Sequence, residues 1–222
     1  MSDTDHPGPD TGPGARIPDR YWTHNVAYHA ELLATARRLA HRTGGTVRAL
    51  DVGCGDGLLL AGLAEVADEV VGIDAASEMV SAARARLADR PRTTVLHGNV
   101  LTDPRLDGRQ FDLVTCVATL HHLPLETGLA RLASLTAPRG QLRVIGLAAD
   151  RGVLDRLRAA ALVVPVRIAS LAHREATGLP IPVRPARESL RQIRAAAAGP
   201  LPGALIRRRF YFRYSLTWER PA

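Results

Sequence analysis

The chain has 222 residues, enough for one domain with a substantial core, and its 46% hydrophobic and 23% charged residues are those of an ordinary globular chain. Two cysteines, Cys54 and Cys116, are too few for a disulfide framework or a structural zinc site, and the longest apolar run, residues 159–166, is interrupted by Pro165 and too short to span a bilayer. The net charge of +7 is carried by 29 arginines and no lysine, which beside so much Ala, Gly and Pro reads more simply as a coding bias than as a nucleic-acid footprint.

Residues 1–20, rich in Asp, Pro and Gly, lack the apolar centre of a signal peptide and read as a disordered tail. The rest, 21–222, reads as a single domain in four parts: residues 21–44, a core over 45–150, a helical segment over 151–205 and a terminal strand or hairpin over 206–222. Both cysteines read as reduced thiols of a cytoplasmic protein. Residues 21–41 have Val26, Ala30, Leu33, Ala36 and Leu39 at helical intervals. On such a helix Tyr21, His24 and Tyr28 share a face with Asn25 beside them, while Trp22, Val26 and His29 occupy the next.

A strand over 47–52 then closes on Asp51 and the loop Gly53-Cys54-Gly55-Asp56-Gly57. Glycines there let the backbone take positive φ and let a ligand approach without a Cβ in the way. Leu58, Leu59, Leu60, Leu63 and Val66 have helical spacing, so the loop opens a helix whose first amides face that ligand. The spacing is G-x-G-x-G, whereas the dinucleotide fingerprint is G-x-G-x-x-G. Asp51 and Asp56 would repel a pyrophosphate; they suit a ligand carrying an ammonium and a sulfonium, as S-adenosylmethionine (SAM) does. A second strand over 69–74 ends in Asp74, 21 residues after Gly53, the usual distance for a carboxylate that accepts ribose hydroxyls.

Further strands are expected at 94–97, 111–117 and 141–147, with helices around 58–67, 77–89 and 125–136. That alternation predicts a parallel sheet covered on both faces. Pro138-Arg139-Gly140 reads as the turn before the fifth strand. Helices are expected over 152–174 and 187–198, joined by the Pro-rich 179–185. The 152–174 helix is apolar at Val153, Leu154, Leu157, Ala160, Ala161, Val164, Ile168 and Leu171; it packs on the sheet, roofs a substrate pocket or forms a dimer contact. From Ile206 to Trp218 apolar residues alternate with Arg and other polar residues, which predicts one long strand or a tight hairpin with one buried face and exposed arginines guarding an edge.

In order, LDVGCGDG (50–57), VVGID (70–74), FDLVTCVATLHHL (111–123) and LTAPRGQLRVIGL (135–147) resemble the motifs of class I SAM-dependent methyltransferases of the small-molecule type. The resemblance covers roughly residues 45–150. It implies a doubly wound, mostly parallel seven-stranded sheet with an antiparallel last strand, an N-terminal lid helix and a helical insertion before the final strands. It also implies SAM as cofactor, with Asp51, Gly53, Gly55 and Asp74 around it and Ala75 and Met79 enclosing the adenine. Asn99, followed by Val100, stands where members often carry Asp, and an amide oxygen still accepts from the adenine amino group. A backbone carbonyl at Cys116 or Val117 is expected on the methionine ammonium, and Tyr21 and Tyr28 of the lid on the cofactor.

His121, His122 and His24 are the candidates for a base, since imidazole titrates near pH ~6.5. A cofactor-facing or structural role for the 121–122 pair, and a plain packing role for the first helix, stand as alternatives. No histidine spacing suggests a metal site. The expected chemistry is in-line displacement of the sulfonium methyl by a small or medium-sized organic acceptor, in which alignment supplies much of the rate and a base is optional. The expected protein is a monomer or homodimer with no metal or membrane contact. Rival readings are a SAM-fold catalyst of a cyclisation, an RNA methyltransferase and a nicotinamide-dependent oxidoreductase.

Overall fold

The computed structural model describes residues 21–149, 153–173, 175–176 and 184–222, with backbone alone over 153–161. The tail expected at 1–20 and most of the Pro-rich 179–185 lie outside the described residues. Seven strands form one sheet: β1 (Arg48–Val52), β2 (Glu69–Asp74), β3 (Thr93–His97), β4 (Phe111–Val117), β5 (Thr136–Gly146), β6 (Leu205–Arg209) and β7 (Arg213–Glu219), in the order β3-β2-β1-β4-β5-β7-β6. The first five are mutually parallel, and β7 is antiparallel to both β5 and β6. The terminal alternation is thus a tight hairpin, with Tyr214, Leu216 and Trp218 buried. Its second arm lies inside the sheet and its first arm, β6, forms the edge; Phe210 and Phe212 fall in the turn and are half-exposed.

Among the described residues the helices are α1 (His29–Thr43), α2 (Leu58–Leu63), α3 (Ser77–Arg86), α4 (Leu125–Leu135), α5 (Val153–Ala172) and α6 (Leu190–Ala197). Successive strand residues point to opposite faces, and because both faces are covered the strands read as nearly unbroken apolar runs. Ala49, Val70, Val95 and Leu113 pack with Leu32 and Leu39 of α1, Leu60 and Leu63 of α2 and Ala83 of α3. Their neighbours Leu50, Val71, Leu96 and Val114 pack on the other side with Leu129 and Leu132 of α4 and Ile193 of α6. Leu132 is wholly buried, so truncating it to Ala removes about 2–5 kcal/mol.

Three elements differ from the sequence pattern. The first helix starts late: residues 21–23 are irregular, Val26–Tyr28 forms a 3-10 turn, and the α-helix begins at His29. Tyr21, His24 and Tyr28 therefore do not share a helix face. The fifth strand begins before the expected turn, at Thr136, and carries Arg139 at φ +61° with a register break against β4 between Phe111 and Leu113. A Pro-Arg-Gly triplet can kink a strand without ending it, because the missing amide falls at the irregularity.

The third difference is the face of α5. Val164, Ile168 and Leu171 are exposed at 62–80%, whereas Val166 is buried against Tyr28, Ile145 and Tyr211, with Leu162 and Ala169 beside it. The helix has apolar residues on more than one face, so periodicity alone did not select the packed one. It also runs through Pro165 without ending. The capping box of Ser189 and Gln192 fixes the start of α6.

Candidate active site

The C-terminal ends of β1, β2 and β4 and the irregular N-terminal segment enclose a cavity of about 390 Å³. This is where ligands bind in open α/β sheets, outside the carboxyl ends of strands where the connection direction reverses. Asp51, near the end of β1, is 2% exposed and accepts a hydrogen bond of 2.7 Å from Thr115 Oγ1. Burial pushes its carboxyl up to about 7; the Thr115 bond opposes that shift and the charge of Asp74 adds to it. Asp74, at the end of β2, accepts from the amides of Gly55 and Ala76, each at 2.9 Å. One carboxylate therefore braces both the glycine loop and the approach to α3.

Gly53 has φ +69°, and a Cβ there would stand 2.0 Å from Thr119 Oγ1. Gly55 has φ +55°, with nothing within 4 Å of a Cβ position. The first glycine is demanded by the protein's own packing, the second by conformation alone, leaving open space above the loop. Asp56, 5% exposed, accepts from the Tyr21 hydroxyl at 2.9 Å and from Arg86 Nη2 at 2.6 Å. These bonds tie the N-terminal segment to the loop and α3. Burial raises the Tyr21 hydroxyl's pKa, and the Asp56 charge raises it further, so it stays a donor.

The cavity wall includes Asp51, Gly53, Gly55, Asp74, Ala75, Met79, Asn99, Val100, Val117, Tyr21 and His122. Four predicted site residues are placed elsewhere. Cys116 is wholly buried in the sheet, its thiol pushed up to about 12 by burial, so only its backbone could serve a ligand. Tyr28 donates to the carbonyl of Phe210 at 2.5 Å, outside the cavity wall. His24 Nε2 lies 2.8 Å from Ser170 Oγ and 3.2 Å from Glu175 Oε2, and its ring stacks on Tyr211. It straps the N-terminal segment to the end of α5, as does the Ala176 amide on the Trp22 carbonyl at 2.9 Å. His121 stands behind His122, ring centroids 4.2 Å apart, with a buried and unpartnered Nδ1. Burial first, then the neighbouring His122, lowers its pKa to about 4.

The cavity also holds residues that the sequence reading had not assigned to it. His29, in the first turn of α1, lines it beside Asp51 and Asp56, and burial lowers its pKa to about 4 against the pull of the Asp56 charge. Ala118 takes φ +50° at the end of β4, its amide bonded to the Ile145 carbonyl at 2.7 Å. Such strain in a non-glycine residue is characteristic of functional sites. His29 reaches the cavity because the α-helix starts late and brings its first turn to the sheet's edge; no local sequence signal marks either His29 or Ala118.

A sheet of this order, with acids at the ends of its first two strands and a glycine loop between them, defines the class I methyltransferase architecture. Residues 49–140 match the family model for a methyltransferase domain. The chain is 33% identical over 208 residues to an uncharacterized methyltransferase of Mycobacterium tuberculosis, covering 91% of this chain and 99% of that one. A ubiquinone biosynthesis O-methyltransferase of Xanthomonas euvesicatoria is 37% identical over 104 residues, 42% of this chain and 40% of that protein. In fold it is similar to the YcgJ protein of Bacillus subtilis (TM-score 0.59, 20% identity, covering 82% of this chain and 70% of that one). It is also similar in fold to magnesium protoporphyrin IX methyltransferase of Synechocystis with bound S-adenosylhomocysteine (TM-score 0.56, 22% identity, covering 88% and 84%).

The chain belongs to the class I SAM-dependent methyltransferase family, and SAM is its cofactor. The residues present fit that group: an open space over Gly55 and two carboxylates spaced along the strand ends suit a ligand with cationic and hydroxyl-bearing parts. Among the described residues no cluster of His, Cys, Asp or Glu could hold a metal ion, and no helix is long and apolar enough to cross a membrane.

Proposed function

We propose that the protein moves the methyl group of SAM by in-line displacement onto a small or medium-sized organic acceptor, such as a secondary metabolite. One observation carries this reading: a single cavity joins the carboxyl groups of Asp51 and Asp74 to a rim of Tyr21, Asn25, His29 and His122. SAM, when bound, supplies a methyl group already activated by its sulfonium. Asp51 and the backbone carbonyls of Cys116 and Val117 hold its ammonium, and Asp74 takes the ribose hydroxyls. Ala75, Met79 and Val100 flank the adenine, with the Asn99 amide at its edge; Asn99 Oδ1 already accepts from the Leu101 amide and keeps a second lone pair.

Tyr21, locked on Asp56, excludes water from the sulfonium end. Burial favours the uncharged form of both His29 and His122, so each ring offers a free nitrogen to the proton of a hydroxyl or amine acceptor, at a cost in basicity. His121, His24 and Tyr28 act from behind, as supports of the rim. The test is calorimetric titration with SAM, S-adenosylhomocysteine and NAD, followed by incubation with methyl-labelled SAM and a cell extract. SAM and S-adenosylhomocysteine binding with label in the low-molecular-mass fraction is expected. Label in RNA, turnover without label in product, or NAD binding without SAM binding would overturn the reading.

A further inference from the structure

Several surface arginines are matched with acids: Arg42 with Glu219, Arg48 with Asp112, Arg92 with Asp68, Arg105 with Asp103, Arg109 with Glu69 and Arg131 with Asp107. Between residues 184 and 208 the sequence places six arginines against one acid, Glu188. All six are exposed. Among the described residues Arg184, Arg191, Arg194 and Arg207 have no carboxylate within ion-pair range. A coding bias accounts for the number of arginines but not for a stretch that holds six of them against one acid.

This surface has a second feature. Between the end of α6 and edge strand β6 lies a hollow with an aliphatic floor, Ala197, Leu201, Leu205 and Ile206, and arginines on its rim, Arg194 and Arg207. Leu205 is 57% exposed there. Arg194 Nη2 donates to the Ile206 carbonyl at 3.1 Å, so that part of the strand edge is already occupied. Strand addition is thereby disfavoured relative to insertion of a side chain. No aromatic ring lines the hollow, so nothing there can stack a base.

We infer that this arginine surface docks an acidic amphipathic helix of a partner protein, with an aliphatic side chain in the hollow and carboxylates on Arg191, Arg194 and Arg207. Residues one turn apart on a helix place an apolar group and flanking acids on a single face, which matches a floor with charged rims.

Fluorescence anisotropy of the full chain with a labelled helical peptide of glutamate and leucine, leucines one turn apart, tests this. Saturable one-to-one binding is expected, weakened at least tenfold by Arg191→Glu with Arg207→Glu and, separately, by Leu205→Glu. SAM affinity and thermal unfolding stay unchanged in both variants, since these side chains are exposed and remote from the cavity. Equal binding of the same peptide with alanine for leucine would reduce the surface to bare charge and overturn the proposal. So would tighter binding of poly(U) RNA, or variants that bind the peptide as the parent does.

Discussion

The two ends of the cavity are built by different means. The cofactor end is local: Asp51, Gly53, Gly55 and Asp74 fall within 24 consecutive residues, and Asp74 alone holds two amides of the loops around it. The acceptor rim is assembled from afar, with Tyr21 reaching Asp56 across 35 positions and His24 reaching Ser170 across 146. On the function proposed above, the first arrangement holds the ligand that the family shares, and the second is free to differ without disturbing it.

The sharpest test of that division is Asp74→Ala. It removes two charge-assisted hydrogen bonds, each worth about 1.5–3 kcal/mol, and the proposed ribose contact. SAM affinity measured by calorimetry is expected to fall by about 10²-fold or more. At the rim, His122→Ala and His29→Ala are expected to leave that affinity within about threefold while the better-placed base costs about 10² in kcat. The two rates measured side by side name the base. If neither changes, the acceptor needs none.

Asp51 belongs to the cofactor end yet carries a cost. Its pKa is about 7 in the folded chain against 3.8 for the unconstrained group. Between those values the folded state binds more protons than the unfolded state. The carboxyl's contribution to stability is therefore full below about 3.8 and is lost as pH rises through about 7. Asp51→Asn keeps an oxygen for Thr115 and removes that loss. The variant is expected to unfold at a higher temperature than the parent at pH 8 and to bind SAM about tenfold more weakly. Parent affinity should also rise through pH 7, while the variant's stays flat.

This contrast also decides what the sequence could reveal. Short motifs encode the cofactor end because a strand, a glycine loop and an acid lie within one supersecondary unit, so strands 69–74 and 111–117 and the pocket acids were legible at once. The helix expected over 21–41 begins only at His29. Tyr21, Trp22 and His24 are held by Asp56, His173, Ser170 and Glu175, and no helical period can register such long-range partners. Nor could period choose between the apolar faces of α5. Resemblance gave the antiparallel last strand but not its position inside the sheet, which depends on pairing between distant strands.

Tyr21→Phe breaks the rim at its contact with the loop. A hydrogen bond to a charged acceptor is lost, Asp56 keeps Arg86, and kcat/KM is expected to fall about fivefold to tenfold with little change in folding. A drop confined to SAM affinity would instead put Tyr21 at the cofactor end.

Tyr28→Phe is expected to do least, and for that reason it bears most directly on how the rim is held. The Tyr28 hydroxyl donates to the Phe210 carbonyl, just before Tyr211 and Phe212, which both have positive φ. Tyr211 in turn stacks on His24. Removing one oxygen should cost about 1 kcal/mol in thermal unfolding, as the turn loses a clamp on strained backbone. SAM affinity should stay within about twofold, because the ring faces Ile145 and Val166 and not the cavity. A tenfold loss of SAM affinity would mean that the N-terminal segment shifts on binding and carries Tyr28 onto the cofactor, which would make the local and the distant ends of the cavity one unit.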